Sequence, residues 1–192
     1  FGNTGGEVAD ENTAFRPCSP YAVAKAAAFW EVANYREAYG LYACSGILFN
    51  HESPLRPERF VTRKIINTAC RIASGSDEVL QLGNIDIHRD WGWAPEYVEA
   101  MWRMLQQDIP EDFVIATGET NSLRTFISVA FAALGLDWEK HTESDPDLFR
   151  PSDIMTVQSC PSKAEDKLGW VAKYKMSDVV RMMVEVEASG EK

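Results

Sequence analysis

The sequence predicts an α/β fold with a partly parallel sheet. Two observations lead there. Short apolar runs, Tyr42 to Phe49, Val79 to Leu82 and Phe113 to Ala116, alternate with longer stretches whose apolar residues recur at helical intervals. Glycines stand just past the ends of those stretches, at Gly40, Gly75 and Gly135, where helices stop. Strand and helix patterns therefore follow one another along the chain, the order that builds parallel strands joined by crossover helices.

Residues 2 to 18 hold Gly2, Gly5, Gly6, Pro17 and several acids without periodicity, and read as a loop. Glu7, Asp10 and Glu11 follow the glycines and no helix starts directly after them, so this is a poor phosphate cradle. Pro20 to Tyr39 reads as a helix with Ser19 as its N-cap and Gly40 past its end. Tyr42 to Phe49 suits a buried strand. Asn50-His51-Glu52-Ser53-Pro54 then falls at its C-terminal end, the side on which open α/β sheets bind ligands.

Phe60 to Ala73 has helical spacing, and Val79 to Leu82 is a brief strand closed by Gly83-Asn84. Arg89-Asp90-Trp91-Gly92-Trp93 reads as a compact turn. Pro95 opens a helix to about Gln107 with Tyr97, Val98, Met101, Trp102 and Leu105 as its apolar stripe. Phe113 to Ala116 is a strand, and Ser122 caps a helix to Leu134. Residues 137 to 153 are irregular and charged. Ser162 and Ser177 cap two last helices, to Leu168 and about Ala188. The last third is helix-rich and predicts a smaller lobe built onto the sheet.

At 192 residues the chain is long enough for one domain with a core. Its net charge of −10 argues against a broad grip on nucleic acid or an anionic membrane, and leaves room for a local basic pocket. No apolar run is long enough to span a bilayer. Cys18, Cys44, Cys70 and Cys160 are scattered without a paired motif, which suggests neither a zinc site nor a disulfide framework and fits reduced thiols in a cytoplasmic protein. Phe1-Gly2 reads as the interior of a longer protein.

The stretch with most chemistry is Ser19-Pro20-Tyr21-Ala22-Val23-Ala24-Lys25. On a helix starting at Pro20, Tyr21 and Lys25 share a face. An ammonium beside a phenol favours its ionised form, which suits a tyrosine that moves protons. Lys25 also sits in an otherwise apolar stretch, where a merely solvated lysine has little reason to be.

Tyr21 to Lys25 resembles the Tyr-x-x-x-Lys signature of the extended short-chain dehydrogenase/reductases. Longer strings narrow the resemblance: 34–40, Gly46 to Pro54, Phe60 to Ile65, Arg89-Asp90-Trp91-Gly92 and Asp112 to Gly118 together resemble the GDP-mannose 4,6-dehydratase family, over nearly the whole chain. The resemblance implies a Rossmann-like parallel sheet, truncated at its N-terminus, interleaved with a substrate lobe drawn mainly from 51–82 and 119–192. It implies an NADP-dependent lyase that removes water from GDP-D-mannose to give GDP-4-keto-6-deoxy-D-mannose. It also implies a homo-oligomer, dimer or tetramer, with the Tyr21 helix as a usual pairing surface.

Residue by residue, Tyr21 matches the catalytic tyrosine, and Lys25 the lysine that binds the nicotinamide ribose beside it. His51 and Arg56 match NADP contacts. Asn50, Lys64, Arg89, Arg150 and Asp153 match positions that hold GDP-mannose, with Lys64 and Arg89 toward the diphosphate and Arg150 and Asp153 toward guanosine. Without the resemblance, His51 reads as a packed loop histidine, Arg89 as a partner of Asp90, and Asp153 as a helix cap.

The family's Gly-rich fingerprint is absent from these residues. So are the Thr/Ser and Glu of its elimination step, which in the family fall just before the counterpart of Phe1-Gly2. Several βαβ units are therefore expected upstream. Leu55 and Pro57 stand where the family usually has Arg and Gly, and Gln158-Ser159-Cys160 replaces a Gly-Asp after the Gln. Two other readings stay open: a non-catalytic module that packs through its helices or weakly holds a GDP-sugar, and a relative that epimerises or reduces a nucleotide sugar.

Overall fold

The computed structural model describes residues 1–149 and 154–190. Arg150 and Asp153 therefore lie outside the described residues. The expected α/β alternation is present. A two-residue strand β1 (Val8–Ala9) precedes the long helix α1 (Pro20–Tyr39). Then come β2 (Gly46–Leu48), β3 (Asn50–Glu52), α2 (Val61–Ala73), β4 (Leu80–Leu82), β5 (His88–Trp93) and α3 (Ala94–Met104). The chain continues with β6 (Phe113–Ile115), β7 (Thr120–Ser122), α4 (Leu123–Ala132), β8 (Thr142–Ser144), β9 (Gln158–Ser159), α5 (Ser162–Leu168) and α6 (Met176–Ser189).

The strand pairs β1–β9, β2–β6, β3–β5 and β4–β8 are parallel, and β5–β7 is antiparallel. Apolar burial gathers in two places. One core joins Ile65, Ile66 and Ala69 of α2, Leu80 and Leu82 of β4, Phe126 and Phe131 of α4, and Val179, Val180 and Met183 of α6. The other joins Tyr97 and Met104 of α3, Phe113 and Ile115 of β6, and Ala164, Leu168 and Trp170 around α5.

Several expectations are corrected. The stretch 2–18 contains β1, because Ala9, fully buried, pairs with Ser159. The expected strand over Tyr42 to Phe49 narrows to β2, and the chain bends at Phe49 into β3 of a different sheet. Arg89 to Trp93 is not a turn but lies within β5, bonded on both edges, to β3 and β7. Its polar members hid it: Asp90 is completely buried yet satisfied by hydrogen bonds, so no apolar alternation marks the strand.

On α3 the predicted stripe is rotated. Tyr97, Ala100 and Met104 are buried, while Val98, Trp102 and Leu105 are exposed. The irregular segment 137–153 holds β8, paired with β4. Ser162 is the first residue of α5 rather than its cap. The backbone N–H of Lys175, not Ser177, marks the start of α6 by donating to Asp178.

Helix α1 forms as its ends dictate. Ser19 Oγ accepts from the Ala22 N–H at 3.1 Å, Pro20 occupies the first turn, and Gly40 takes φ 62° at the stop. Of its residues only Ala33 is buried. The helix is therefore held by specific contacts near its C-terminal end and at its middle. Near its C-terminus Arg36 donates through Nη1 and Nη2 to the Asp112 carboxylate, at 2.9 and 2.8 Å, and to the Ala43 carbonyl at 2.9 Å. Asp112 also accepts from the Ser45 N–H at 2.6 Å. At mid-helix a relay of aromatic contacts, Phe49 to Phe1 to Phe15 to Phe29, links the end of β2 to α1.

Burial pushes the Asp112 carboxyl up, but Arg36 and the Ser45 N–H outweigh it and leave it below the ordinary range. Stability from this group is thus present above pH about 4, the unfolded carboxylate value, and is lost as pH falls through the lower folded value. Asp112→Ala removes the acceptor of three donors and should cost about 2–4 kcal/mol in urea unfolding at pH 7, with a smaller difference at pH 3. A cost within about 0.5 kcal/mol at pH 7, the usual range for surface substitutions, would show that the pair does not anchor the helix.

Candidate functional site

The end of β2, the start of α1 and the turn after β3 enclose a cleft of about 570 Å³. Tyr21, Lys25, His51 and Arg56 all line it, over an apolar wall of Phe1, Phe15 and Phe29. Two short stretches of the sequence, 21–25 and 51–56, thus meet in one place. The volume is in the range of small-molecule sites, and the mix of apolar wall and few polar groups is typical of them.

Tyr21 and Lys25 share the exposed face of α1, with the Lys25 ammonium 5.8 Å from the tyrosine ring centre. The Tyr21 side chain is open to the cleft and to solvent, at 73% exposure. His51 is packed and lines the cleft. Its ring stacks on Tyr97 at 4.9 Å and its Nδ1 lies 2.8 Å from the Phe49 carbonyl, so it is a packed histidine that also faces the cleft. Tyr97 comes close because position 92 is glycine: a Cβ there would stand 2.3 Å from Tyr97 Cε2. Burial, and then the charges of Asp90 and Glu96, push the Tyr97 phenol far up, so it stays neutral.

Arg56 sits in the turn closed by its own N–H to the Ser53 carbonyl at 3.0 Å. Its guanidinium lies over the Phe60 ring at 3.9 Å. The replacements at positions 55 and 57 leave it facing the cleft, with Leu55 turned out at 88% exposure. Glu52, 1% exposed, stands behind it, and neither periodicity nor motif singled this residue out. Burial pushes the Glu52 carboxyl up, against the pull of Arg56 and Thr62.

The residues expected to hold the sugar nucleotide are arranged differently. Asn50, Lys64 and Arg89 do not line the Tyr21 cleft. Asn50 is paired with Trp91 across β3 and β5. Lys64 Nζ donates to the Gln81 carbonyl at 2.6 Å, which leaves two of its three ammonium hydrogens. Arg89 donates to the His88 carbonyl at 2.7 Å, with the Met155 carbonyl at 3.5 Å. The Asp90 carboxylate instead accepts from the Thr117 and Gly118 N–H groups and the Ser159 hydroxyl, at 3.0, 2.8 and 2.8 Å. Burial pushes its carboxyl up, and those bonds pull it part of the way back. Ser159, in the unusual Gln-Ser-Cys string, thereby ties β9 to β5. Among the described residues no group of His, Cys, Asp and Glu is arranged to hold a metal ion.

The profile of one protein family, described as GDP-mannose 4,6 dehydratase, matches residues 1–183. The chain belongs to the GDP-mannose 4,6-dehydratase family. It is 53% identical over 175 residues to GDP-mannose 4,6 dehydratase 1 of Arabidopsis thaliana, covering 91% of this chain and 48% of that protein. It is 46% identical over 194 residues to GDP-mannose 4,6 dehydratase of Cricetulus griseus, covering 92% and 52%. The chain thus spans about half the length of the curated dehydratases it matches.

Among solved structures, RMD from Pseudomonas aeruginosa complexed with NADPH superposes with a TM-score of 0.85 at 22% identity, covering 98% of this chain and 64% of that one. The dTDP-glucose 4,6-dehydratase (rfbB) of Bacillus anthracis in complex with NAD gives 0.87 at 19%, covering 99% and 58%. At these identities the likeness shows the fold: the Rossmann-like α/β arrangement with parallel strand pairs that the sequence implied. In this member of the dehydratase family the His51–Tyr97–Gly92 stack is a local constraint on the cleft. Gly92→Ala should destabilise by about 1–3 kcal/mol through overpacking, read by thermal unfolding. Unchanged stability would mean that Tyr97 moves aside freely and does not fix His51.

Proposed function

We propose that these residues serve the conversion of GDP-D-mannose to GDP-4-keto-6-deoxy-D-mannose, in an enzyme that uses NADP. The observation that carries this reading is the meeting of Tyr21, Lys25, His51 and Arg56 in one cleft of a chain that belongs to the dehydratase family. The cleft fits a nicotinamide dinucleotide. Lys25 and Arg56 supply positive charge for phosphate and ribose, and the Arg56 Nε is buried without an aligned hydrogen bond of its own. The phenylalanine wall suits a planar ring. When bound, the cofactor would supply the oxidation and reduction of the sugar.

The protein's part in this reading is to bind, orient and move protons. The Tyr21 oxygen is the base that accepts the proton of the sugar 4-hydroxyl, with the Lys25 ammonium beside it on the same helix face. Arg56 holds a phosphate of the cofactor, since a guanidinium edge matches phosphate oxygens. His51 is set by its bond to the Phe49 carbonyl and by the Tyr97 ring. Asn50, Lys64 and Arg89 hold the GDP-mannose, Lys64 with its two remaining hydrogens and Arg89 with its charge on the diphosphate. Arg150 and Asp153 complete the guanosine end.

In this reading the core of α3, β6 and α5 belongs to the dinucleotide portion, and the core of α2, α4 and α6 to the substrate lobe. The dehydratase works as a homo-oligomer paired through α1, whose exposed Val23, Trp30, Tyr35 and Tyr39 support such a contact. The four free cysteines support a reducing compartment, the cytoplasm.

Tyr21→Phe, made in the protein as the cell makes it, should lower kcat about a hundredfold or more with KM nearly unchanged, because the hydroxyl acts in the transition state. Near-normal turnover would remove Tyr21 from that role. Arg89→Ala should instead weaken GDP-mannose binding about tenfold in a calorimetric titration, the scale of a lost charged hydrogen bond. Unchanged affinity would take Arg89 out of the substrate site.

A further inference from the structure

Glu52 closes β3 with its side chain almost wholly buried, and a carboxylate in that position must be paired. It has two partners. Its Oε2 accepts from the Thr62 hydroxyl at 2.8 Å, and the same oxygen lies 3.3 Å from Arg56 Nε, close enough for an ion pair though not aligned as a hydrogen bond. Thr62 is itself 2% exposed in the first turn of α2, so the carboxylate cannot swing away from the arginine without leaving the hydroxyl unpaired.

The guanidinium is thus constrained on two sides. Glu52 holds its Nε edge, and Phe60, the residue before α2, covers one face. What remains is the pair of terminal nitrogens, for which no hydrogen bond to a described residue is recorded. Arg56 is about a quarter exposed and lines the cleft with Tyr21 and Lys25. A guanidinium fixed by its inner edge presents its outer donors in one orientation, the requirement for a two-point grip on phosphate oxygens.

We propose that Glu52 is a positioning residue of the cleft: acting through Arg56 Nε and held by Thr62, it orients the free edge of the Arg56 guanidinium toward a phosphate of the bound dinucleotide. This rests on the reading of the cleft as a nicotinamide dinucleotide site. Glu52 touches no ligand itself. Its effect is opposite in sign to simple charge neutralisation, in which removing an acid beside an arginine would tighten a phosphate.

The test is a double-mutant cycle in dinucleotide affinity. NADPH and NADH are titrated into the protein as the cell makes it, into Glu52→Gln, Arg56→Ala and the double variant, with the melting temperature recorded on the same samples. Glu52→Gln should weaken NADPH about tenfold, the scale on which orienting partners of a binding side chain act. In the Arg56→Ala background the same substitution should add almost nothing, because Glu52 acts through Arg56. A loss larger for NADPH than for NADH assigns the phosphate to the adenosine ribose. An equal loss assigns it to the diphosphate bridge, and either supports the proposal.

Wild-type affinity or tighter binding in Glu52→Gln, or a loss that persists undiminished without Arg56, would overturn the proposal while leaving the cleft assignment standing. Failure of the unaltered protein to bind either dinucleotide would overturn both. Should Glu52→Gln not fold, Arg56→Lys decides. It keeps the charge and lacks the Nε edge, so binding as weak as in Arg56→Ala supports positioning, and wild-type binding refutes it.

Discussion

The Arg36–Asp112 pair is the constraint on which the candidate site depends. Helix α1 carries Tyr21 and Lys25 but buries only Ala33, so hydrophobic packing alone does not set its position. Its C-terminal end is fixed where one carboxylate collects both terminal nitrogens of Arg36 and the backbone N–H of Ser45, just ahead of β2. Because Asp112 directly precedes β6, which pairs with β2, the knot sets helix and strands in one register. The aromatic relay from Phe49 to Phe29 attaches the helix at its middle. The cleft lies beside this second attachment, with Phe1, Phe15 and Phe29 in its wall.

Buried and half-buried carboxylates repeat this solution elsewhere. Asp90 gathers two backbone N–H groups and the Ser159 hydroxyl, joining β5, the end of β6 and β9. Glu96 at the head of α3 accepts from the N–H groups of Lys173 and Tyr174 and so fastens the segment between α5 and α6. Glu11 reaches across to the N–H of Val114, at 2.7 Å. Each acid answers a backbone donor that would otherwise be stranded. Short strands of two or three residues are held together here by side chains as much as by their ladders.

Much of the fold was legible in the sequence. Helix ends marked by Ser19, Pro20 and Gly40, or by Ser122, declare themselves through local chemistry, and α1 and α4 begin where those signals stand. Strands that rely on tertiary partners do not. Asp90 and Gly92 broke the apolar alternation of β5, and β8 is a polar Thr-Glu-Ser segment that is a strand only because β4 lies beside it. The face of α3 was misjudged because Val98, Trp102 and Leu105 are as apolar as the residues it buries. Tyr21, Lys25 and His51 were legible through family strings and Arg56 by its family position, and the structure brings the four into one cleft. Glu52, Thr62 and Tyr97 stand behind those residues, and only spatial proximity reveals them.

Across one cleft, a helix-borne Tyr–Lys pair faces a histidine stacked on Tyr97 and an arginine paired with Glu52. We propose that the protein dehydrates GDP-mannose. The most direct measurement is mass analysis of GDP-mannose after incubation with the purified protein, as the cell makes it, and NADP. The account predicts a product lighter by one water, formed without net consumption of the cofactor. GDP-mannose recovered unchanged, or altered without loss of water, would contradict it.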